Sequence, residues 1–120
     1  MCGIAGYLTR NSKSCDSQVL RRMVAMVNHR GPDYSGFHVD GSVGLGHARL
    51  SILDLDGGSQ PMCNEDKTVW ITFNGEIFNY VELRNYLIKK GHRFHTQSDT
   101  EVIVHLYEEK GEDCVKDLNG

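Results

Sequence analysis

The sequence predicts an α+β protein built from antiparallel strands and amphipathic helices. Alternating apolar and polar residues flank Asp40-Gly41, a turn sequence typical of a β-hairpin. Ser98 and Glu101 have the spacing of a capping box, which marks the start of a helix. An earlier set of apolar residues repeats at the helical spacing i, i+3, i+4, i+7, namely Leu20, Met23, Val24 and Val27. At 120 residues and 39% hydrophobic, the chain is expected to form one domain.

The first half of the chain predicts a strand, a helix and a hairpin. Residues 3–9 form a short apolar run bounded by polar residues, which is typical of a buried strand. The helix begins near Asp16 and ends before Pro32, because proline excludes the α conformation from the residue that precedes it. The two strands of the hairpin follow at residues 37–39 and 43–47.

The second half predicts two helices with short strands before each. A strand is expected at residues 68–73, and a helix runs from an N-cap at Asn79 to Gly91. A brief strand at residues 93–96 precedes the last helix, which closes at Gly111. The residues predicted to face the core are Leu83, Leu87 and Ile88 in one helix and Val102, Ile103, Leu106 and Tyr107 in the other.

Charge and hydropathy exclude several classes of protein. A formal net charge of -3 gives no electrostatic footprint for nucleic acid or an anionic membrane surface. No apolar run approaches the ~20 residues of a membrane span, and no signal-peptide pattern is present. We therefore expect a soluble, cytoplasmic chain without nucleic-acid or membrane partners.

Cysteine and histidine spacings predict neither a disulfide framework nor a metal site. The four cysteines, Cys2, Cys15, Cys63 and Cys114, contain no C-x-x-C pair, so a reducing compartment is the simpler expectation. The six histidines, His29, His38, His47, His92, His95 and His105, show no H-E-x-x-H or other ligand spacing, so they are interpreted as structural or surface residues.

Cys2 is the first candidate for chemistry. Removal of Met1 would make it the N-terminal residue, and its own α-amine, with a pKa of ~7.7–8.0, could take the thiol proton directly or through one water. The thiolate is the attacking species. The alternative is that Cys2 is a small apolar residue that opens a buried strand.

Two charged residues stand out for their surroundings. Arg49 lies in the largely apolar stretch 48–53, where a guanidinium needs a carboxylate partner from the protein or from a ligand. Asp99 falls in the first turn of the last helix, where the helix dipole alone is a sufficient reason for an aspartate. The polar, glycine-rich stretch 29–36 is either an ordinary loop or part of a site.

The chain resembles the glutaminase domain of class II glutamine amidotransferases, which are N-terminal-nucleophile hydrolases. Within that family it is most similar to the glutamine-hydrolysing asparagine synthetases. The matching stretches run in the family's order through nearly the whole chain: Met1-Cys2-Gly3-Ile4, His29-Arg30-Gly31-Pro32-Asp33 with Gly36, His47-Ala48-Arg49-Leu50-Ser51-Ile52, Gln60-Pro61, Asn74-Gly75-Glu76-Ile77-Phe78-Asn79, and Ser98-Asp99-Thr100-Glu101.

The resemblance implies a role for each candidate site residue. Cys2 is the nucleophile, and the side-chain amide of Asn74 with the backbone N–H of Gly75 forms the oxyanion hole. Arg49 binds the α-carboxylate of glutamine, while Glu76 and Asp99 receive its α-ammonium. The residues whose backbone lines the pocket are Leu50, Ser51, Ile52 and Leu53. A zwitterionic substrate needs one fixed cation and one fixed anion, and Arg49 and Asp99 supply that pair.

The resemblance also implies a fold and a set of partners. The fold is an αββα sandwich of antiparallel sheets, and relatives continue beyond residue 120, so we expect this domain to be truncated at its C-terminal end. The expected partners are glutamine and a synthetase domain in the same polypeptide, and homo-oligomerisation stays open. No cofactor is expected in this chain; ATP and Mg belong to the synthetase domain.

Two other functions remain open from the sequence. One is a noncatalytic ligand-binding or interaction module of the same fold, which a retained Met1 would favour because it blocks the amine. The other is a different N-terminal-cysteine amide hydrolase or a sister amidotransferase with another acceptor, making an amino sugar or a purine precursor.

Overall fold

A computed structural model describes residues 1–51 and 58–120. The mixed α/β composition with antiparallel sheets confirms the predicted class. The described residues fall into two compact units. The first unit contains residues 1–51, Ser59–Pro61 and Thr72–Asn74, and the second contains Gly58, Met62–Ile71 and Gly75–Gly120.

The first unit is a three-stranded antiparallel sheet with one α-helix, which a short 3₁₀ helix at Asn28–Arg30 follows. Its elements are β1 (Gly3–Leu8), α1 (Ser17–Val27), β2 (Tyr34–Asp40) and β3 (Val43–Arg49), and the sheet order is β1-β3-β2. The register pairs Gly3 with Ala48 and Tyr34 with Arg49. The predicted first strand, first helix and hairpin are therefore confirmed.

The helix α1 packs its apolar face on β3. Leu20 and Val24 are buried, and a Cβ added at Gly46 would lie 2.3 Å from Val24 Cγ2. A larger residue at Gly46 would push the helix off the sheet, since close-packed interiors leave no such space. The helix begins at an Asp16 cap, whose Oδ1 accepts a 2.7 Å hydrogen bond from Gln18 N.

The second unit combines a two-stranded ladder with two helices. Its elements are β4 (Met62–Cys63), β5 (Trp70–Ile71), α2 (Tyr80–Lys90), α3 (Asp99–Lys110) and a 3₁₀ helix at Gly111–Lys116. The buried core of this unit consists of Leu87, Val102, Leu106 and Cys114. Both helices end at the predicted glycines, and Gly91 adopts the left-handed conformation with φ 105°.

Of two strand predictions in the second half, one is wrong and the other is confirmed only in its centre, because side chains take the backbone donors. Residues 93–96 form no strand: the N–H groups of His95 and Thr96 each donate at 2.7 Å to the buried carboxylate of Glu101. The predicted strand 68–73 shrinks to Trp70–Ile71, since the N–H groups of Thr68 and Val69 donate to Asn64 Oδ1 at 2.9 and 3.0 Å.

Glu101 is the charged residue whose carboxylate binds the backbone of His95 and Thr96. Burial alone would raise the pKa of Glu101, but contacts with His105, Thr96 and His95 outweigh burial and lower the pKa to about 2. The carboxylate is thus ionised although only 1% of the residue is exposed. The predicted capping box is therefore only half formed. Ser98 Oγ accepts a 3.2 Å hydrogen bond from Thr100 N, as predicted, but the Glu101 side chain binds the preceding connection instead.

Helix faces were predicted with less accuracy than helix positions. Ile88 and Tyr107, predicted to face the core, are 49% and 45% exposed. Asn79 precedes α2 as expected, but its side chain donates to Asp117 O and accepts from Asn119 N instead of capping the helix. Among the described residues, no helix has the length and apolar composition needed to cross a bilayer.

Candidate active site

Cys2 lies at the end of β1, where the adjacent strand β3 leaves the sheet. Continuing the β1–β3 register by one residue places Cys2 opposite Arg49. The N–H of Leu50 points at the thiol, with 3.5 Å between Leu50 N and Cys2 Sγ. Arg30 Nε donates to the carbonyl of Cys2 at 3.2 Å. The half-buried thiol therefore has one backbone donor directed at its sulfur, and such a donor interacts more strongly with a thiolate than with a thiol.

Asp33 fixes the backbone beside the thiol. Its N–H donates to Arg49 O at 3.0 Å, and its Oδ2 accepts from Ser51 N at 2.7 Å. These two bonds hold residues 49–51 on both sides of Leu50. The stretch 29–36, which the sequence left open between a loop and a site, is thus the support of the segment that faces Cys2.

Gly31 permits this support to form. A Cβ added at Gly31 would lie 2.2 Å from Ala48 O and 2.6 Å from the carbonyl carbon of Arg49. Backbone runs against backbone at this point, so only glycine fits. Gly31 and Asp33 belong to the stretches that carry the family resemblance, but the sequence assigned no role to either. A close approach of two backbone segments has no local sequence signal beyond Gly-Pro-Asp itself.

The segment that leads to Asn74 is anchored on the same unit. Gln60 is buried, and its Oε1 accepts a 2.6 Å hydrogen bond from Phe73 N. Thr72 Oγ1 donates to Gly46 O at 3.3 Å. Asn74, the predicted side-chain donor of the oxyanion hole, follows directly and is exposed. Gln60 is therefore a positioning residue for this segment, a role that the sequence did not reveal.

His47 lies fully buried in β3, two residues before Arg49. Burial lowers the pKa of His47, and the positive charge of Arg49 acts in the same direction. A neutral imidazole in the sheet is consistent with the structural role predicted for it.

In the second unit, Asp99 contacts the segment that carries Gly75 and Glu76. Asp99 Oδ2 accepts a 2.7 Å hydrogen bond from Ile77 N, next in sequence to Glu76. Asp99 is also the first residue of α3. From the sequence, the helix dipole alone was a sufficient reason for an aspartate at this position. The structure adds a specific hydrogen-bond partner for its carboxylate. Gly75 and Glu76 are exposed and Asp99 is half-buried.

The predicted site residues thus form two groups. The first unit brings Cys2 together with Arg49, Leu50 and Ser51, and the second brings Asp99 against the segment of Gly75 and Glu76. Ile52 and Leu53, predicted to line the pocket, lie outside the described residues. The roles of all these residues toward a substrate stay predictions.

The second unit also has an open apolar groove of about 360 Å³. Its lining includes Trp70 and Ile71 of β5 and Ile103 and Tyr107 of α3. Of the predicted site residues that the structure describes, none lies among those that line it. The groove therefore adds nothing to the candidate site.

Comparisons with known proteins identify the family. Residues 1–120 match the model of a family described as a glutamine amidotransferase domain. The glutamine-hydrolyzing asparagine synthetase of Brassica oleracea is 50% identical over 124 residues, covering 100% of this chain and 20% of that protein. Asparagine synthetase 1 of Bacillus subtilis (strain 168), also named glutamine-hydrolyzing, is 44% identical over 123 residues, with 100% and 20% covered.

A third relative shows the same proportions. Asparagine synthetase 1 of Arabidopsis thaliana, named glutamine-hydrolyzing, is 49% identical over 124 residues, covering 100% of this chain and 20% of the relative. The chain thus spans about a fifth of the length of the curated relatives it matches. Since the family model covers every residue of the sequence, the chain belongs to the glutamine amidotransferase domain family.

Proposed function

We propose that this chain hydrolyses the side-chain amide of glutamine to glutamate and ammonia through a thioester on Cys2. The observation that carries the proposal is the Leu50 N–H directed at Cys2 Sγ, next to the fixed backbone of Arg49. A reactive thiol and a carboxylate-binding guanidinium on adjacent strands suit an amino-acid substrate. The family to which the chain belongs supports the same reaction class.

The proposed reaction begins once removal of Met1 frees the α-amine of Cys2. The amine takes the thiol proton, and the thiolate attacks the amide carbon of glutamine. The tetrahedral oxyanion accepts hydrogen bonds from the Asn74 side-chain amide and the Gly75 N–H. The C–N bond breaks as the protonated amine returns its proton to the departing ammonia. Water then adds to the γ-glutamyl thioester, releases glutamate and restores the thiol.

Substrate recognition uses both charged groups. Arg49 binds the α-carboxylate through two parallel hydrogen bonds, a geometry that matches a guanidinium. Asp99 and Glu76 receive the α-ammonium, and the backbone of residues 50–53 lines the pocket. Asp99 suits this role because Ile77 N already fixes one of its oxygens, which orients the other without a large entropic cost on binding.

The ammonia would serve ATP-dependent asparagine synthesis in the full-length protein. Support comes from the relatives, which are named asparagine synthetases and are about five times the length of this chain. ATP and Mg would bind in that synthetase region and take no part in the glutaminase step. We further propose that the antiparallel sheets belong to an N-terminal-nucleophile αββα sandwich and that the protein works in the cytoplasm.

The test is glutamine hydrolysis by Cys2→Ala in the full-length protein. Hydrolysis should fall to the uncatalysed rate while glutamine binding, measured by calorimetry, persists, since the thiol forms the covalent bond and Arg49 and Asp99 hold the substrate. The matched control is Cys63→Ala, a half-buried cysteine of the second unit, which should retain activity. Hydrolysis above background by Cys2→Ala would exclude Cys2 as the nucleophile.

A noncatalytic module predicts a different pattern. Wild-type protein with Met1 removed would then bind glutamine without producing ammonia, and Cys2→Ala would change nothing. Intact mass of the protein establishes whether Met1 is gone before either result is interpreted.

A further inference from the structure

Two histidines and two glutamates converge in the second unit, and none of them is a proposed glutaminase residue. Glu65 lies in the turn after β4, His92 follows α2, and His105 and Glu108 lie about one turn apart on α3. One ligand atom from each lies within 4.8 Å of all the others. Three separate segments therefore supply four possible ligands to one point.

Three of the distances within this cluster bracket the ligand separations of a tetrahedral metal site. His105 Nδ1 is 2.8 Å from Glu108 Oε2 and 3.7 Å from Glu65 Oε2. His92 Nδ1 is 3.4 Å from Glu108 Oε2. Ligand atoms at roughly 2.0–2.2 Å from a tetrahedral Zn²⁺ are separated by about 3.3–3.6 Å, so small side-chain shifts would complete the coordination.

Each of the two carboxylates has one oxygen already held by a nitrogen donor. Glu65 Oε1 accepts a 2.8 Å hydrogen bond from Arg93 N, and Glu108 Oε1 accepts one of 2.8 Å from the side-chain amide of Asn64. Asn64 is only 2% exposed and is itself fixed by Thr68. In both glutamates the second oxygen, Oε2, is the one that faces the cluster.

Each imidazole has a carboxylate beyond its outer ring nitrogen, at hydrogen-bond distance for His92 and farther away for His105. His92 Nε2 lies 2.9 Å from Glu109 Oε1, and the fully buried His105 Nε2 faces Glu101 Oε1 at 3.6 Å. The Glu109 carboxylate can hold the proton on His92 Nε2 and leave the lone pair on Nδ1, which is the usual arrangement behind a metal-bound histidine. At 3.6 Å, Glu101 is too far from His105 Nε2 for a hydrogen bond and contributes its charge alone. Both Nδ1 atoms point into the cluster.

From this arrangement we infer that Glu65, His92, His105 and Glu108 bind a divalent transition-metal ion, with Zn²⁺ the best match. Imidazole and carboxylate ligands suit Zn²⁺, whereas Mg²⁺ and Ca²⁺ prefer oxygen ligands alone. Four protein ligands leave no open position, so the site is structural, and the ion would tie β4, α2 and α3 together. The sequence did not predict it, since the ligands come from three segments without a ligand spacing.

Charge balance favours a cation at this point. Four carboxylates, Glu65, Glu101, Glu108 and Glu109, surround two imidazoles, which carry at most two positive charges. Lys90 contributes only at the edge, 4.0 Å from Glu109. A divalent ion among the four ligand atoms offsets the excess negative charge.

Zinc titration of the full-length protein, stripped with a chelator and followed by calorimetry, tests the site. We expect wild type to bind one Zn²⁺ per chain. In His92→Asn and in Glu65→Gln, binding should be lost or its affinity should fall about 100-fold or more, because changes to outer-shell partners alone cost about 10–100-fold in affinity. Because neither side chain is fully buried, both variants are expected to fold. The matched control, His95→Asn, removes an exposed histidine of the same unit and should leave the affinity unchanged.

Two further readouts separate a bound ion from a proton-bridged network of histidines and glutamates. Cobalt should give the intense visible absorption of a four-coordinate site in wild type and lose it in His92→Asn. Zinc should raise the Tm of wild type and leave that of His92→Asn unchanged. Absence of stoichiometric binding, equal binding by His92→Asn, or loss of binding in His95→Asn alone would overturn the proposal.

Discussion

Among single residues, Arg49 is the one whose proposed role is to make the candidate site specific for an amino acid. An Arg49→Lys variant keeps the charge but loses the two parallel hydrogen bonds to a carboxylate. We expect kcat/KM for glutamine to fall roughly ten- to a hundredfold, which corresponds to about 1.5–3 kcal/mol for a charge-assisted bond. Steady-state glutaminase kinetics on the full-length protein measure this.

The control for Arg49 is a glutamine derivative whose α-carboxylate is converted to an amide. Wild type should hydrolyse it poorly, and Arg49→Lys should add little further loss, because the anion that the guanidinium binds is missing. An equal loss on both substrates would show that Arg49 serves the fold through an internal contact and does not hold the substrate.

The buried imidazole of His47 makes stability depend on pH. Burial lowers the pKa of His47, so the folded state takes up its proton at a lower pH than the unfolded chain, which does so near ~6.5. Below that pH the unfolded state binds more protons, and the free energy of unfolding therefore decreases as the solution becomes more acidic. Urea denaturation between about pH 7 and pH 5 should show a steeper decrease in wild type than in His47→Gln.

The comparison with a second histidine variant makes this result specific. His95→Gln removes an exposed imidazole and should keep the wild-type slope. If His47→Gln has the same pH dependence as wild type, the imidazole of His47 does not carry the effect.

At the scale of elements, the close approach of Gly31 to the end of β3 links the fold to the site. In Gly31→Ala, the new Cβ would meet Ala48 O at 2.2 Å, so the backbone of residues 48–51 must move. Displacements of about 1 Å can cost on the order of a hundredfold in rate, and overpacking costs typically ~1–3 kcal/mol in stability. Glutaminase kinetics and urea denaturation of the variant check both effects.

Gly44→Ala, a substitution within β3 itself, is the matched control. Its Cβ would contact Tyr7 Cε1 at an ordinary 3.4 Å, so activity should persist. Full activity in Gly31→Ala would mean that the Ala48–Ser51 backbone need not be fixed for catalysis.

The elements also show what the sequence could predict. Hydrophobic periodicity and turn chemistry identified β1, α1 and the β2–β3 hairpin, because these depend on local pattern and on burial of one face. The predicted strand at residues 93–96 failed because the carboxylate of Glu101 takes the donors of His95 and Thr96. Alternation of apolar residues carries no information about such a competitor.

For the candidate site, the sequence could name the residues but not the contacts that position them. The resemblance named Cys2, Arg49 and Asp99, which a reader of one sequence can locate by residue type and order. The contacts that position them, from Asp33 to Ser51 N and from Ile77 N to Asp99, join residues 18 and 22 positions apart. Their geometry depends on the completed fold.

For the molecule as a whole, the proposed mechanism requires that only one of the four cysteines acts as a nucleophile. Cys15 and Cys114 are buried, and burial raises the pKa of the Cys63 and Cys114 thiols. The raised pKa values disfavour the thiolate at Cys63 and Cys114, and burial limits access to Cys15, whereas Cys2 has a backbone donor aimed at its sulfur and an amine in the same residue.

The most direct measurement of the central claim is peptide mapping after reaction with a glutamine analogue that carries an electrophilic carbon at the amide position. If Cys2 is the nucleophile, we expect label on Cys2 alone, at a rate that excess glutamine suppresses, and no label when Met1 is retained. Label spread evenly over Cys2, Cys15, Cys63 and Cys114, or unaffected by glutamine, would contradict the assignment of Cys2 as the nucleophile of a glutamine site.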